Sequence, residues 1–101
     1  MKLVIIESPY KGDPKNKLYA RRCLLDSLKR GEAPLASHLL YTQVLDDNKP
    51  EERKQGIEAG LAWGKKADLT VVYMDLGISK GMELGIQRAK DEGREIEYRK
   101  L

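Results

Sequence analysis

The chain has 101 residues with 19 basic and 16 acidic side chains, which gives a net charge of +3. A chain of this length supports one modest core, so residues 1–101 are expected to form a single domain and a second catalytic domain is excluded. Charged residues make up 35% and apolar residues 41% of the chain, which is typical of a compact soluble domain and not of a disordered, fibrous or membrane chain.

The first half of the chain predicts a strand, a helix and a short second strand. Residues 3–6 form an unbroken apolar run, which indicates a strand covered on both faces. Asp13 and Pro14 are typical of an N-cap and a first helical residue, and Gly31 is a typical helix stop. Between them an apolar stripe comprises Leu18, Leu24, Leu25 and Leu28. Residues 33–40 have a weak pattern but lie where a second strand is expected.

The second half predicts two more helices and two more strands. A helix begins near Pro50 and ends near residues 65–66, and its acidic first turn and basic end complement the helix dipole. Residues 69–74 again predict a buried strand. The last helix begins near Ser79 and stops at Gly93. Ile96 and Tyr98 alternate with charged residues, which indicates a half-exposed final strand.

This alternation of strands and helices predicts an α/β fold. We expect a single three-layer, flavodoxin- or Rossmann-like domain whose four-stranded parallel sheet has the order 2-1-3-4, with about three helices. In that order the connections leave strands one and three on opposite faces, so a crevice opens at their carboxyl ends. Ligands of such folds bind there.

Several chemistries are excluded by composition and motif. With Cys23 as the one cysteine and His38 as the one histidine, a disulfide within the chain, a Cys/His zinc site and a His-rich metal site cannot form. No Walker A or GxGxxG pattern occurs, so nucleoside triphosphate hydrolysis and ordinary dinucleotide binding lack support. We therefore expect no cofactor and, from the cysteine and histidine counts, no metal. Charges of both signs are interspersed and the first apolar run meets Glu7 early, so we expect a cytoplasmic protein without a nucleic-acid or membrane partner.

Two polar, glycine-containing loops follow the strands that flank the predicted crevice. They span residues 7–12 and 75–83, and each leads into a helix N-terminus whose free amides favour an anion. Ser79 and either Lys11 or Lys80 would add donors to a phosphate, and Tyr10 would stack on a base. The alternative is that these are ordinary turns between a strand and a helix.

Glu83 is the candidate catalytic carboxylate. A capping box needs its acid three residues after the N-cap, and the residue three after Ser79 is Met82. With Met82 and Ile86 in the core, we expect Glu83 to lie beside the crevice, where partial burial would suit nucleophilic or acid–base chemistry. The alternative is that Glu83 only complements the helix dipole.

The order of polar, apolar and glycine residues along the chain resembles the nucleoside 2-deoxyribosyltransferase family. The pattern is most similar to the 2'-deoxynucleoside 5'-phosphate N-hydrolase branch of that family, which includes short phage members. The resemblance covers nearly the whole chain and is carried by Ser8, Gly12, Leu18-Tyr19, Ser37-His38, Trp63, Ala67-Asp68, Val71-Val72, Ser79, Gly81-Met82-Glu83-Leu84-Gly85 and Arg88-Ala89.

The resemblance implies roles for particular residues. Glu83 would be the nucleophile that attacks the anomeric carbon of the sugar. The substrate-binding residues implied by the resemblance and by the two loops are Ser8, Tyr10, Lys11, Gly12, His38, Asp75, Ser79 and Gly81. It also implies a nucleoside or nucleotide as the small-molecule partner and a homodimer or higher homo-oligomer.

One position departs from the family. The aspartate that assists the leaving base would fall on Gly60, and Glu58 or Asp75 would have to replace it. Three hypotheses follow. The first is cleavage or transfer of an N-glycosidic bond, the second is a non-catalytic nucleotide-binding protein such as a phage-encoded one, and the third is a structural or protein-binding domain.

Overall fold

The computed structural model describes residues 1–11 and 13–101. Its four strands are β1 (Leu3–Glu7), β2 (Ala33–Leu35), β3 (Leu69–Tyr73) and β4 (Glu95–Arg99). All pairings are parallel and the order is β2-β1-β3-β4, which confirms the predicted α/β sheet. The helices are α1 (Pro14–Lys29), α2 (Ser37–Leu40), α3 (Pro50–Gly64) and α4 (Lys80–Asp91), and a 3₁₀ turn spans Tyr41–Gln43.

The sheet has a different core on each face. Strand side chains alternate between faces, so Val4 and Ile6 of β1 pack with α1, while Ile5 and Glu7 point the other way. On that second face Val72 packs with Met82 of α4. The helix α3 contacts α2 and α4 and buries only Gly64 completely, so it covers the second face loosely. This loose cover leaves space for a site between helix and sheet.

The second strand is shorter than expected. Residues 33–40 were predicted as strand, but β2 ends at Leu35 and residues 37–40 form α2. β2 is an edge strand paired only with β1, and Pro34 has no amide hydrogen to donate. The pattern of a four-residue helix is too short to be distinguished from a strand, so the fourth helix was missed.

The leucine stripe of α1 does not face the sheet. The buried residues of α1 are Tyr19, Ala20, Cys23 and Ser27, whereas Leu18, Leu25 and Leu28 are 60%, 51% and 57% exposed. Two of the buried polar groups are satisfied: the Ser27 hydroxyl donates to Glu32 over 2.7 Å and the Tyr19 hydroxyl donates to Asp75 over 2.6 Å. Of the four leucines in the predicted stripe, Leu24 packs against the core, and the prediction is wrong for the other three.

A buried ion pair connects β4 to the segment between α1 and β2. The Arg99 guanidinium donates to both Glu32 oxygens, over 2.9 and 2.7 Å, and its own side chain is buried. Hydrogen bonds from Arg99 hold the pKa of Glu32 down at about 2. This pair lies on the α1 side of the sheet, away from the loosely covered face. Among the described residues, no helix combines the length and the apolar character that crossing a membrane requires.

Candidate functional site

A cavity of about 500 Å³ opens at the carboxyl end of β1, on the face covered by α3 and α4. Its sheet wall includes Ile5 and Glu7, and its helix walls include Gly60 of α3 and Gly85 of α4. The loop after β1 and the first turn of α4 form its rim. The two loops singled out in the sequence therefore meet at one cavity.

Most of the predicted binding residues line this cavity. They are Ser8, Tyr10, Lys11, His38, Ser79 and Gly81. Gly12 lies outside the described residues. The Ser79 hydroxyl accepts a hydrogen bond from the Met82 amide over 3.3 Å, which makes Ser79 the N-cap of α4 as predicted. The structure thus brings six of the eight predicted binding residues together.

Of the predicted binding residues that the structure describes, Asp75 alone does not line the cavity. Its carboxylate accepts hydrogen bonds from the Tyr19 hydroxyl and, over 3.0 Å, from the Leu101 amide. These bonds hold the pKa of Asp75 below its usual value. Glu58, the other suggested replacement for the family aspartate, is exposed, lies near Lys54 and is likewise outside the cavity wall. Neither carboxylate faces the cavity.

Glu83 is not part of the cavity wall. The wall includes Gly81 and Gly85, which point about 160° away from Glu83 on α4, whereas Lys80, about 60° from Glu83, lies at the rim. Met82 and Ile86 fix this orientation because both pack on Val72. The Glu83 side chain is exposed and is absent from the wall, so the expected place beside the crevice is not found. Its role as nucleophile stays a prediction that this position does not support.

A hydroxyl and an imidazole are paired in the cavity wall. The Ser8 oxygen and His38 Nε2 are 2.8 Å apart, and Tyr10 meets the His38 ring edge-on at a centroid distance of 5.9 Å. Burial lowers the pKa of His38 to about 4, so the ring is neutral at pH 7. The Thr42 hydroxyl donates to the His38 carbonyl over 2.8 Å. This arrangement presents neutral hydrogen-bonding groups beside an aromatic ring.

Glu7 is a cavity residue that the sequence analysis named only as part of a loop. It pairs with Val72 in the sheet register, and its carboxyl group lies against the backbone of Gly85. A Cβ atom at residue 85 would stand 2.5 Å from Cδ of Glu7, so only glycine leaves room for the carboxyl group. Burial raises the pKa of Glu7 to about 8, although the positive charge of Arg94 opposes this shift. The signal in the sequence was the two-residue alternation along β1, which puts Glu7 and Ile5 on one face.

Arg94 closes the cavity at the end away from the loops. Its guanidinium donates to the Thr70 hydroxyl over 2.9 Å, to the Gly64 carbonyl over 2.5 Å and to Glu92 over 2.7 Å. These bonds hold Arg94 in place and join the turn before β4 to α3. Sequence reasoning had no signal for Arg94, because its position depends on contacts between distant segments.

The family aspartate has no space at Gly60. A Cβ atom at residue 60 would overlap the Ser37 hydroxyl and stand 2.8 Å from the Ser37 Cβ. The close approach of α2 to α3 therefore requires glycine here. Any side chain at this position would require Ser37 or α2 to move.

The sequence of residues 2–99 matches the sequence model of a protein family described as "Domain of unknown function (DUF7768)". The chain belongs to the DUF7768 family. A search of curated proteins found no match. Two solved structures share the fold of this DUF7768 domain. A 2-deoxyribosyltransferase from Bacillus psychrosaccharolyticus is 13% identical with a TM-score of 0.78, and the match covers 97% of this chain and 72% of the other. A CMP N-glycosidase from Clostridium botulinum is 16% identical with a TM-score of 0.60, covering 98% and 71%.

The remaining acidic groups of the DUF7768 cavity lie at its mouth and are paired. Asp47 accepts a hydrogen bond from Arg53 over 3.0 Å, and Glu52 is 3.6 Å from Lys49 and accepts from the Asp46 amide. In the described part of the chain no three carboxylate, imidazole or thiol groups are close enough together to hold a metal ion.

Proposed function

We propose that this cavity binds a nucleoside or nucleotide and that the protein cleaves its N-glycosidic bond. The observation that carries the proposal is the meeting of the two predicted loops at one cavity that also holds a carboxyl group, Glu7. Two structures with the same fold, a 2-deoxyribosyltransferase and a CMP N-glycosidase, support it. The proposed ligand is a small molecule, and the only co-reactant that the proposed cleavage requires is water.

Each part of such a ligand has suitable cavity residues. A phosphate would lie at the first turn of α4, where free amides near Gly81 and the hydroxyl of Ser79 favour an anion, with Lys11 on the opposite rim. The paired Ser8 and His38 suit sugar hydroxyls, since both are neutral hydrogen-bonding groups. Tyr10 beside them offers an aromatic edge or face to the base.

A non-catalytic nucleotide-binding protein is the second candidate function. It is favoured by the exposed position of Glu83, because the carboxylate that the resemblance makes the nucleophile does not reach the cavity of its own chain. A binding protein would retain the loops and the Ser8–His38 pair without needing Glu83.

The two candidates are separated by incubating the protein with a panel of 2'-deoxynucleosides and their 5'-monophosphates. Free base is measured by chromatography, and binding is measured by calorimetry. We expect release of base from at least one member of the panel, and release that persists in Glu83→Ala would remove Glu83 from the mechanism. Saturable binding without release of base would favour the binding protein, and absence of binding would contradict both candidates.

A further inference from the structure

We propose that Glu7 is the proton donor of the cleavage reaction and gives its proton to the departing base. This inference rests on the proposed function, and it assigns a catalytic residue that the resemblance does not supply. It fills the role left open at Gly60, where no acid fits.

The oxygens of the Glu7 carboxyl group are free to meet a ligand. Among the described residues no hydrogen-bond partner lies within reach of either of its oxygens, whereas Asp47 and Glu52 at the mouth are both bonded. In the described residues, every fully buried side-chain oxygen or nitrogen has a hydrogen-bond partner. Because the Glu7 oxygens have none, they are not fully buried. Glu7 lines the cavity, so its oxygens open into it. They are available to a ligand.

The site also holds Glu7 in one place. β1 is a central strand, Glu7 pairs with Val72 across the sheet, and Gly85 closes over the carboxyl group from α4. A group fixed between a sheet and a helix keeps its orientation without the cost of ordering a loop. Ser8, the next residue, carries the hydroxyl paired to His38, so the donor and the sugar-binding pair are adjacent.

The protonation state of the Glu7 carboxyl group suits a proton donor. With a pKa near 8 set by burial, Glu7 keeps its proton at pH 7 and can donate it, which a carboxyl group in water cannot do. The positive charge of Arg94 opposes the rise in the pKa of Glu7. His38 is neutral at pH 7 and so adds no charge near the Glu7 carboxyl group. Glu7 faces uncharged residues of β3 and α4, Val72 and Gly85. The other charged side chains around the cavity lie at its rim or mouth and are Lys11, Asp47, Glu52, Arg53 and Lys80.

The step balances with water as the only co-reactant. The Glu7 proton passes to a nitrogen of the base as the bond between that base and the anomeric carbon breaks, and the bonding electrons leave with the base. The sugar becomes an oxocarbenium-like cation. Water adds to the anomeric carbon from the side that the base has left and returns a proton to the Glu7 carboxylate. The products are the free base and the free sugar or sugar phosphate.

The test compares the wild-type protein with Glu7→Gln, which keeps the shape of the side chain but has no proton to give. Glu95→Gln is the matched control, because Glu95 is exposed at the start of β4. On the nucleotide that the wild-type protein cleaves, we expect Glu7→Gln to lose about 100-fold or more of the rate of base release. We expect the wild-type rate to fall as pH rises through about 8, and Glu95→Gln to match the wild type.

Two further readouts separate proton donation from a structural role. Calorimetry should show that Glu7→Gln binds the nucleotide within a few-fold of the wild type. With 4-nitrophenyl 2-deoxyriboside, whose leaving group needs no proton, Glu7→Gln should recover most of the wild-type rate. Base release by Glu7→Gln within about three-fold of the wild type, an equal loss with both substrates, or loss of binding would each overturn the assignment. Absence of base release by the wild-type protein would instead overturn the proposed function itself, and the assignment with it.

Discussion

Glu7 and Gly85 belong to different elements and depend on each other. The carboxyl group occupies the space that a side chain at residue 85 would fill. Gly85 belongs to the motif that carries the family resemblance, and in this chain it leaves room for the Glu7 carboxyl group. The absence of a side chain at residue 85 thus explains how Glu7 fits between β1 and α4.

We expect Gly85→Ala to destabilise the fold by roughly 1 to 3 kcal/mol, because the added methyl group collides with the Glu7 carboxyl group. In a Glu7→Ala background the same substitution should cost much less, since the obstructing group is gone. Urea unfolding of the four proteins gives the coupling energy between the two sites.

Gly81→Ala is the matched control for that cycle. A Cβ atom at residue 81 has only the Ser79 hydroxyl nearby, at 3.9 Å, so the added methyl group has space. Its effect on stability should be small and independent of Glu7. An equal cost of Gly85→Ala with and without the Glu7 carboxyl group would contradict the close contact.

At the level of single residues, the sequence predicted which side chains gather around the cavity but not where Glu83 lies relative to it. Ser8 and Tyr10 of the first loop and His38, which the resemblance implies, all line the cavity, in part because the carboxyl ends of parallel strands lie at one edge of the sheet. The rotation of α4 was predicted, since Met82 and Ile86 were expected in the core and they pack with Val72. Which flank of that buried stripe meets the cavity was not predictable, because it depends on where α3 and the loop after β1 lie.

At the scale of elements, the contact between α2 and α3 shapes one wall of the cavity. Ser37 opens α2 and lies directly over Gly60 of α3. The long helices were predictable because caps and stops mark them: Asp13 caps α1, and Gly31 and Gly93 have positive φ angles after α1 and α4. α2 has no side-chain cap and only four residues, so it left no comparable signal.

We expect Gly60→Ala to destabilise the protein by about 1 to 3 kcal/mol, although alanine is the better helix former, because its Cβ atom would overlap Ser37. Adding Ser37→Gly should restore the loss, and the double variant should be at least as stable as Ser37→Gly alone. Denaturant unfolding of the full cycle measures this.

Gly56→Ala in the same helix serves as the control. Its nearest atom would be Cδ1 of Leu45 at 3.4 Å, which is an ordinary contact, so this change should be neutral or stabilising. If Gly60→Ala behaved like Gly56→Ala, the close approach of α2 to α3 would be refuted.

At the scale of the whole molecule, the strand order could be predicted from the sequence alone. The mainly apolar runs at residues 3–6 and 69–74 indicated the two central strands, and right-handed crossovers favoured the order β2-β1-β3-β4. What the periodicity did not indicate is which face of α1 meets the sheet. Tyr19, Ala20, Cys23 and Ser27 pack inward, so Leu18, Leu25 and Leu28 remain on the surface.

That surface bears on the homo-oligomer expected from the sequence. Leu18, Leu25 and Leu28 lie within about 80° of one another around α1 and are all more than half exposed. An apolar stripe of this kind is typical of an interface between subunits. We therefore predict a homodimer or higher homo-oligomer that buries the α1 stripe, with a mass at least twice that of the monomer in light scattering.

Leu25→Lys places a charge in the middle of this stripe, and burying an unpaired charge is costly, so we expect this variant to be monomeric. Because Leu25 is 51% exposed in the single chain, the change should leave the fold intact, as circular dichroism would verify. Val44→Lys is the matched control, since Val44 is 81% exposed and lies outside α1, and it should keep the oligomer. A wild-type protein that stays monomeric at every concentration, or an oligomer that survives Leu25→Lys, would show that the α1 stripe is not the interface.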